Sequence, residues 1–69
     1  MIRFALKDDF IKLGQVLKAA HLCDTGVEAK YAIQDGLVTV NGQVDTRRGR
    51  KIVEGDRIEF NGETVEIVR

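Results

Sequence analysis

The chain has 69 residues, with eleven Lys and Arg set against eleven Asp and Glu, so its formal net charge is zero. That length holds one domain, residues 1–69, burying roughly 60% of the unfolded surface, and the neutral balance excludes a protein that sticks to polyanions over its whole surface. One cysteine, Cys23, and one histidine, His21, exclude an internal disulfide and a structural zinc cluster, while the lack of disulfide staples, of a signal peptide and of an apolar run near the ~20 residues of a membrane span predicts a cytoplasmic location.

Ile2, Phe4 and Leu6 alternate with Arg3, Ala5 and Lys7, the period of a half-buried strand. Asp8 and Asp9 stand where a helix N-cap and an acidic first turn belong. Phe10, Leu13, Leu17 and Ala20 then recur at three- and four-residue spacing, with Val16 beside them. They predict an amphipathic helix ending near His21, whose start Gly14 leaves anywhere from residue 9 to 13. Thr25 and Glu28 have the spacing of a capping box, in which the Thr25 hydroxyl accepts from the Glu28 amide and the Glu28 carboxylate from the Thr25 amide. Ala29, Ala32, Ile33 and Leu37 mark the inner face of this second helix, and Gly36 marks its stop. About four residues join the helices, so they pack directly on one another.

From Val38 the period becomes two. Val38 and Val40 run into Asn41-Gly42 and Val44 returns; Ile58 and Phe60 run into Asn61-Gly62, and Val65 and Ile67 return. Asn-Gly between apolar alternations is the strongest short hairpin signal, and Glu54-Gly55-Asp56 reads as a turn between the hairpins. The expected fold is α+β: a strand, two packed helices, then a small antiparallel sheet of two hairpins. The four aromatics, Phe4, Phe10, Tyr31 and Phe60, mostly fall on expected core positions.

Little in the chain points to catalysis. His21 and Cys23, two residues apart, point in different directions and lack a third group to orient a base. The expected roles are a Cys23 packed as a small apolar residue and a His21 at a helix C-terminus. The glycines are scattered at turns and form no phosphate-cradling motif. The sequence therefore predicts a protein that is not an enzyme, with no cofactor, metal or small-molecule substrate.

The neutral total conceals an uneven distribution. Residues 1–43 carry five bases and five acids; residues 44–51 carry Arg47, Arg48, Arg50 and Lys51 against Asp45, netting +3; residues 52–69 carry two bases and five acids, netting −3. Arginine matches phosphate with a planar fork of donors, and Gly49 removes a side chain where a ligand backbone can come close. Such a loop suits nucleic-acid phosphates, or an acidic partner docked by a protein–protein adaptor; both readings stand on the residues alone.

Lys12-Leu13 through Leu17, Thr25-x-x-x-Ala29-Lys30, Ile33, Gly36-Leu37-Val38-Thr39-Val40-Asn41-Gly42 and Gly55-Asp56 together resemble the RNA-binding domain named after the fourth small-subunit ribosomal protein, also called the alpha-L motif. The resemblance spans about residues 11 to 60 and is strongest to short free-standing bacterial members of that family. It implies a binding surface made from the N-terminal end of the second helix and the loops of the following strands. Where the family typically has Ser-Arg this chain has Thr25-Gly26, and where it has Ala-Arg this chain has Ala29-Lys30, so the cap and one charge are kept and one cation is absent. The candidate RNA contacts are Lys30, Arg47, Arg48, Arg50 and Lys51 on phosphates, Lys12 (with Lys18) extending them along the first helix, and Thr25 and Asn41 shaping the surface. With no Trp and one Tyr the chain lacks an aromatic platform for unpaired bases. The expected partner is therefore structured RNA, ribosomal RNA or a ribosomal particle, bound by a monomer through phosphates and 2′-hydroxyls.

Overall fold

The N-terminal alternation forms strand β1, Ile2–Ala5, in a computed structural model that describes residues 1–69. A two-residue strand β2, Ile11–Lys12, leads into helix α1, Leu13–Ala19, and helix α2 follows over Gly26–Gln34. Strands β3, Val38–Val40; β4, Gln43–Val44; β5, Lys51–Ile52; β6, Arg57–Phe60; and β7, Glu63–Val68, complete the chain. Both Asn-Gly pairs close two-residue hairpins with positive φ at each position, 53° and 84° at Asn41-Gly42 and 53° and 80° at Asn61-Gly62. That backbone twist matches the flanking strands, which is why Asn-Gly is favoured there.

The hairpins join through antiparallel β3 and β6, with Val38 opposite Phe60 and Val40 opposite Ile58. Strand β1 then docks on β7 in parallel, Ile2 beside Val65 and Phe4 beside Ile67. The order is β1-β7-β6-β3-β4: the two hairpins form the expected antiparallel sheet, and the N-terminal strand adds to its edge in parallel, so the sheet as a whole is mixed. One face of the sheet offers Val38, Val40, Ile58, Val65 and Ile67 to Leu13, Val16 and Leu17 of α1 and to Ala29, Ala32 and Ile33 of α2, and Ile52 and Cys23 complete the buried cluster. Each fully buried Leu, Ile or Val side chain contributes about 1.5–3 kcal/mol relative to exposure.

Both helices end in Schellman motifs. At α2 the amide of Leu37 donates to the carbonyl of Ala32 and that of Gly36 to Ile33, each at 3.1 Å, with Gly36 at φ 76°. At α1 the amide of Leu22 donates to Leu17 at 2.9 Å and that of His21 to Lys18 at 3.1 Å, but the left-handed position is held by His21, φ 62°, not by glycine.

Four local expectations change. Asp8 and Asp9 do not cap α1: they lie in the turn before β2, where Arg69 reaches the Asp8 carbonyl and the Asp9 carboxylate, both at 3.4 Å. Phe10 consequently precedes the helix and is 39% exposed, and Tyr31, on the outer side of α2, is also exposed. Leu37 follows the helix stop and points outward instead of extending the inner face. In the capping box, Thr25 Oγ1 accepts from the Glu28 amide at 3.1 Å as expected, while the Glu28 carboxylate reaches one residue further back, to the Asp24 amide at 2.8 Å.

Candidate nucleic-acid interface

Strands β2 and β5 pair for two residues, Ile11 with Ile52 and Lys12 with Lys51. This short ladder lays the basic loop across the start of α1, whose first amides have no partner within the helix. They find one in the loop: Leu13 N donates to the Arg50 carbonyl at 2.9 Å and Gly14 N to the Arg48 carbonyl at 3.1 Å. The loop thus caps α1 with its main chain. Gly14 makes the approach possible, since a Cβ there would sit 2.7 Å from Arg48 Cγ.

Asp45 closes the loop from inside. It is 6% exposed, and its Oδ1 accepts from the Arg47 amide at 2.9 Å, an Asx turn, and from Arg47 Nε at 3.1 Å. Its Oδ2 accepts from Arg47 Nη2 at 2.9 Å and from Arg50 Nη1 at 2.8 Å. The hydrogen bond from the Arg47 side chain, with that from Arg50 and the Arg47 amide, holds the Asp45 carboxyl well below the usual carboxylate range although burial opposes it. The same contact raises Arg47. The Arg50 amide donates to the Arg47 carbonyl at 3.2 Å, closing a turn with Arg48 and Gly49 at its tip.

Between this turn, the start of α1 and the start of α2 lies an open groove of about 430 Å³. Lys12, Lys18 and Arg48 bring three cations to it, Gln15 an amide, and Gly14, Gly26 and Gly49 bare backbone; no carboxylate and no apolar side chain lines it. Gly26 opens α2, and its amide and that of Val27 make no hydrogen bond within the protein, so the positive end of that helix meets the groove. Lys51 stands directly across the ladder from Lys12, both exposed. Like charges so placed repel, and a polyanion relieves the repulsion. The Lys51 ammonium is held over the Phe10 ring, 4.9 Å from its centroid.

Of the eight candidate residues, Lys12 and Arg48 line the groove, and Thr25 and Lys30 flank its α2 side, Lys30 being one turn beyond Gly26 on the same face. Lys51 adjoins Lys12. Arg47 and Arg50 belong to the loop but are tied to Asp45. Asn41 is not in the groove: its Nδ2 donates to Asp56 Oδ1 and its Oδ1 accepts from the Arg57 amide, both at 2.9 Å, so its side chain holds the β3–β4 turn to the start of β6. Sequence reasoning missed Asp45, Gly14 and Gln15. A lone acid two residues before an arginine is an Asx-turn signal, and a glycine inside a helical pattern calls for a packing reason; Gln15, whose Oε1 accepts from the Lys12 amide at 3.4 Å, gave no signal. Cys23 is buried, and burial, then the charges of Glu28 and Asp24, push its thiol up, so it stays protonated at neutral pH.

Two helices on one face of a small mixed sheet, with a basic loop seated on the first helix, define an S4 domain: the model of that family matches residues 4–68, and the chain belongs to it. The chain is 39% identical over 69 residues, 99% of each chain, to the protein of Escherichia coli (strain K12) named "Putative RNA-binding protein YbcJ". It is 40% identical over 58 residues, 84% of this chain and 82% of the other, to the Bacillus subtilis (strain 168) protein named "Probable ribosome maturation protein RlbA". The solution structure of YbcJ from E. coli, described as revealing an alfaL motif involved in RNA-binding, superposes with a TM-score of 0.77 at 38% identity, over 100% of this chain and 89% of that one. No helix is long and apolar enough to cross a membrane.

Proposed function

We propose that this domain binds structured RNA in the cytoplasm, as a monomer and without catalysis, and that its target is ribosomal RNA or a ribosomal particle. The observation that carries the reading is the groove with three cations, a helix start whose first two amides are free, and neither carboxylate nor apolar side chain on its walls. Phosphate and 2′-hydroxyl groups match such walls, whereas bases need aromatic platforms or shaped polar edges that the groove lacks. Lys12 and Arg48 contact phosphate directly, Lys18, Lys30 and Lys51 extend the positive field along both helices and the ladder, and Thr25 fixes the α2 terminus. Kinship with a protein described as carrying an RNA-binding motif supports RNA as the partner, and kinship with one named for ribosome maturation supports the ribosomal target. Crosslinking in cells followed by sequencing of the bound RNA tests it. Enrichment of ribosomal RNA is the expected result; recovery of other RNA alone overturns the ribosomal target, and a partner that survives nuclease treatment with no RNA recovered overturns RNA binding itself.

A further inference from the structure

We propose that Asp45 is a positioning residue for RNA binding: it aims Arg47 and Arg50 outward from the basic loop, so that removing this negative charge weakens the hold on a polyanion. The inference rests on the RNA-binding reading of the groove. Simple electrostatics predicts the opposite, because deleting an acid from a cationic loop raises the local positive potential.

The geometry decides between the two. A carboxylate has about four acceptor positions, and four donors fill those of Asp45, all of them from Arg47 and Arg50. With 6% of its surface exposed, it has no capacity left for an outside donor or a cation, so its chemistry is spent within the loop. The arginines are not consumed in return. A guanidinium carries five N–H donors; Arg47 gives two of them to Asp45 and Arg50 gives one. The remaining donors are free, and the Arg47 side chain is 70% exposed although its fork is fixed. Two flexible side chains are thereby ordered before any ligand arrives, on a turn that the Arg48 and Arg50 carbonyls attach to α1. Ordering in advance removes a cost that binding otherwise carries.

The test uses the full chain and an RNA stem-loop of about 20 base pairs as the probe, with affinity read by fluorescence anisotropy across a salt series. Asp45→Asn keeps the size and one acceptor oxygen while removing the charge. Its affinity is expected to fall about tenfold, the effect of releasing two long side chains, with a shallower salt dependence than the unaltered chain. Affinity equal to or above that of the unaltered chain overturns the positioning role and leaves the RNA-binding reading intact. Absence of binding by the unaltered chain overturns both. Should Asp45→Asn fail to fold by circular dichroism, the double variant Arg47→Lys with Arg50→Lys decides instead: it keeps every positive charge but cannot form the planar fork. A comparable loss of affinity supports the role, and unchanged affinity overturns it.

Discussion

Gly14 and Arg48 meet at the seam between helix α1 and the basic loop: the Gly14 amide donates to the Arg48 carbonyl at 3.1 Å, and no room remains for a Cβ between the glycine and the arginine side chain. Helix propensity favours alanine at this position by about 0.8–1 kcal/mol, yet a Cβ 2.7 Å from Arg48 Cγ forces that side chain to rotate out of its present place beside the groove. Gly14→Ala is therefore expected to melt within a few degrees of the unaltered chain while losing affinity for an RNA stem-loop roughly three- to tenfold. Unchanged affinity would remove Arg48 from the contact surface.

His21 occupies a left-handed backbone position that glycine adopts without strain. His21→Gly is expected to stabilise the domain by about 0.5–1 kcal/mol, after allowing for the greater freedom of glycine in the unfolded chain. A thermal melt reads this as a rise of several degrees in a domain of this size. A fall would mean that the imidazole supports the fold in some other way.

Thr25 supplies the only side-chain cap of α2, through its hydroxyl and the Glu28 amide. Thr25→Ala is expected to cost about 1 kcal/mol, visible as a lower urea midpoint with an unchanged slope, and Thr25→Ser to restore most of it.

Asp45 makes stability depend on pH on the acid side. Its carboxyl is depressed in the folded chain by the two arginines, whereas an unfolded aspartate titrates near 3.9. The unfolded chain therefore binds more protons between the two values, and the stabilisation is complete above the unfolded value and lost as pH falls through the folded one. Urea unfolding from neutral pH down to about pH 2 should show a drop beginning below about pH 5, with a smaller drop in Asp45→Asn. Equal drops in both would assign the acid sensitivity to other carboxylates.

Much of this fold was legible because its signals are local. Thr25 and Glu28 lie three residues apart, each Asn-Gly sits between its own strands, and Gly36 adjoins the helix it ends. The parallel pairing of β1 with β7 was not legible, because it joins opposite ends of the chain and no neighbouring residue encodes it. Helix α1 begins at Leu13, within the range that Gly14 left open, but its cap was not legible, for a related reason. Asp8 and Asp9 are sound caps by local rules, but Ile11 and Lys12 pair with Ile52 and Lys51 before the helix begins, and the loop carbonyls satisfy the helix amides. At the candidate site the charges were plain in the run from Arg47 to Lys51, while their differentiation was not. Only the three-dimensional arrangement turns Arg48 toward Lys12 and Lys18, ties Arg47 and Arg50 to Asp45, and commits the side chain of Asn41 to Asp56 and Arg57. The family's missing cation also takes on a location: Gly26 is on the groove wall with open space where a side chain would stand.

That space permits a gain-of-function test. Gly26→Arg is expected to tighten RNA binding and to steepen the salt dependence by roughly 0.7–0.9 in log–log slope, the increment for one added phosphate contact. A cation near a helix N-terminus should at the same time destabilise the fold by about 0.3–1 kcal/mol. Unchanged slope would mean that RNA does not reach the start of α2.

The salt dependence of RNA binding tests the central claim most directly. If about four phosphates are engaged, log affinity of the unaltered chain for an RNA stem-loop should fall with log salt at a slope of roughly −3 to −4. The double variant Lys12→Ala with Arg48→Ala should bind more weakly with a slope shallower by roughly 1.4–1.8. Binding that ignores salt, or a double variant with the affinity and slope of the unaltered chain, would contradict the assignment of this groove to RNA.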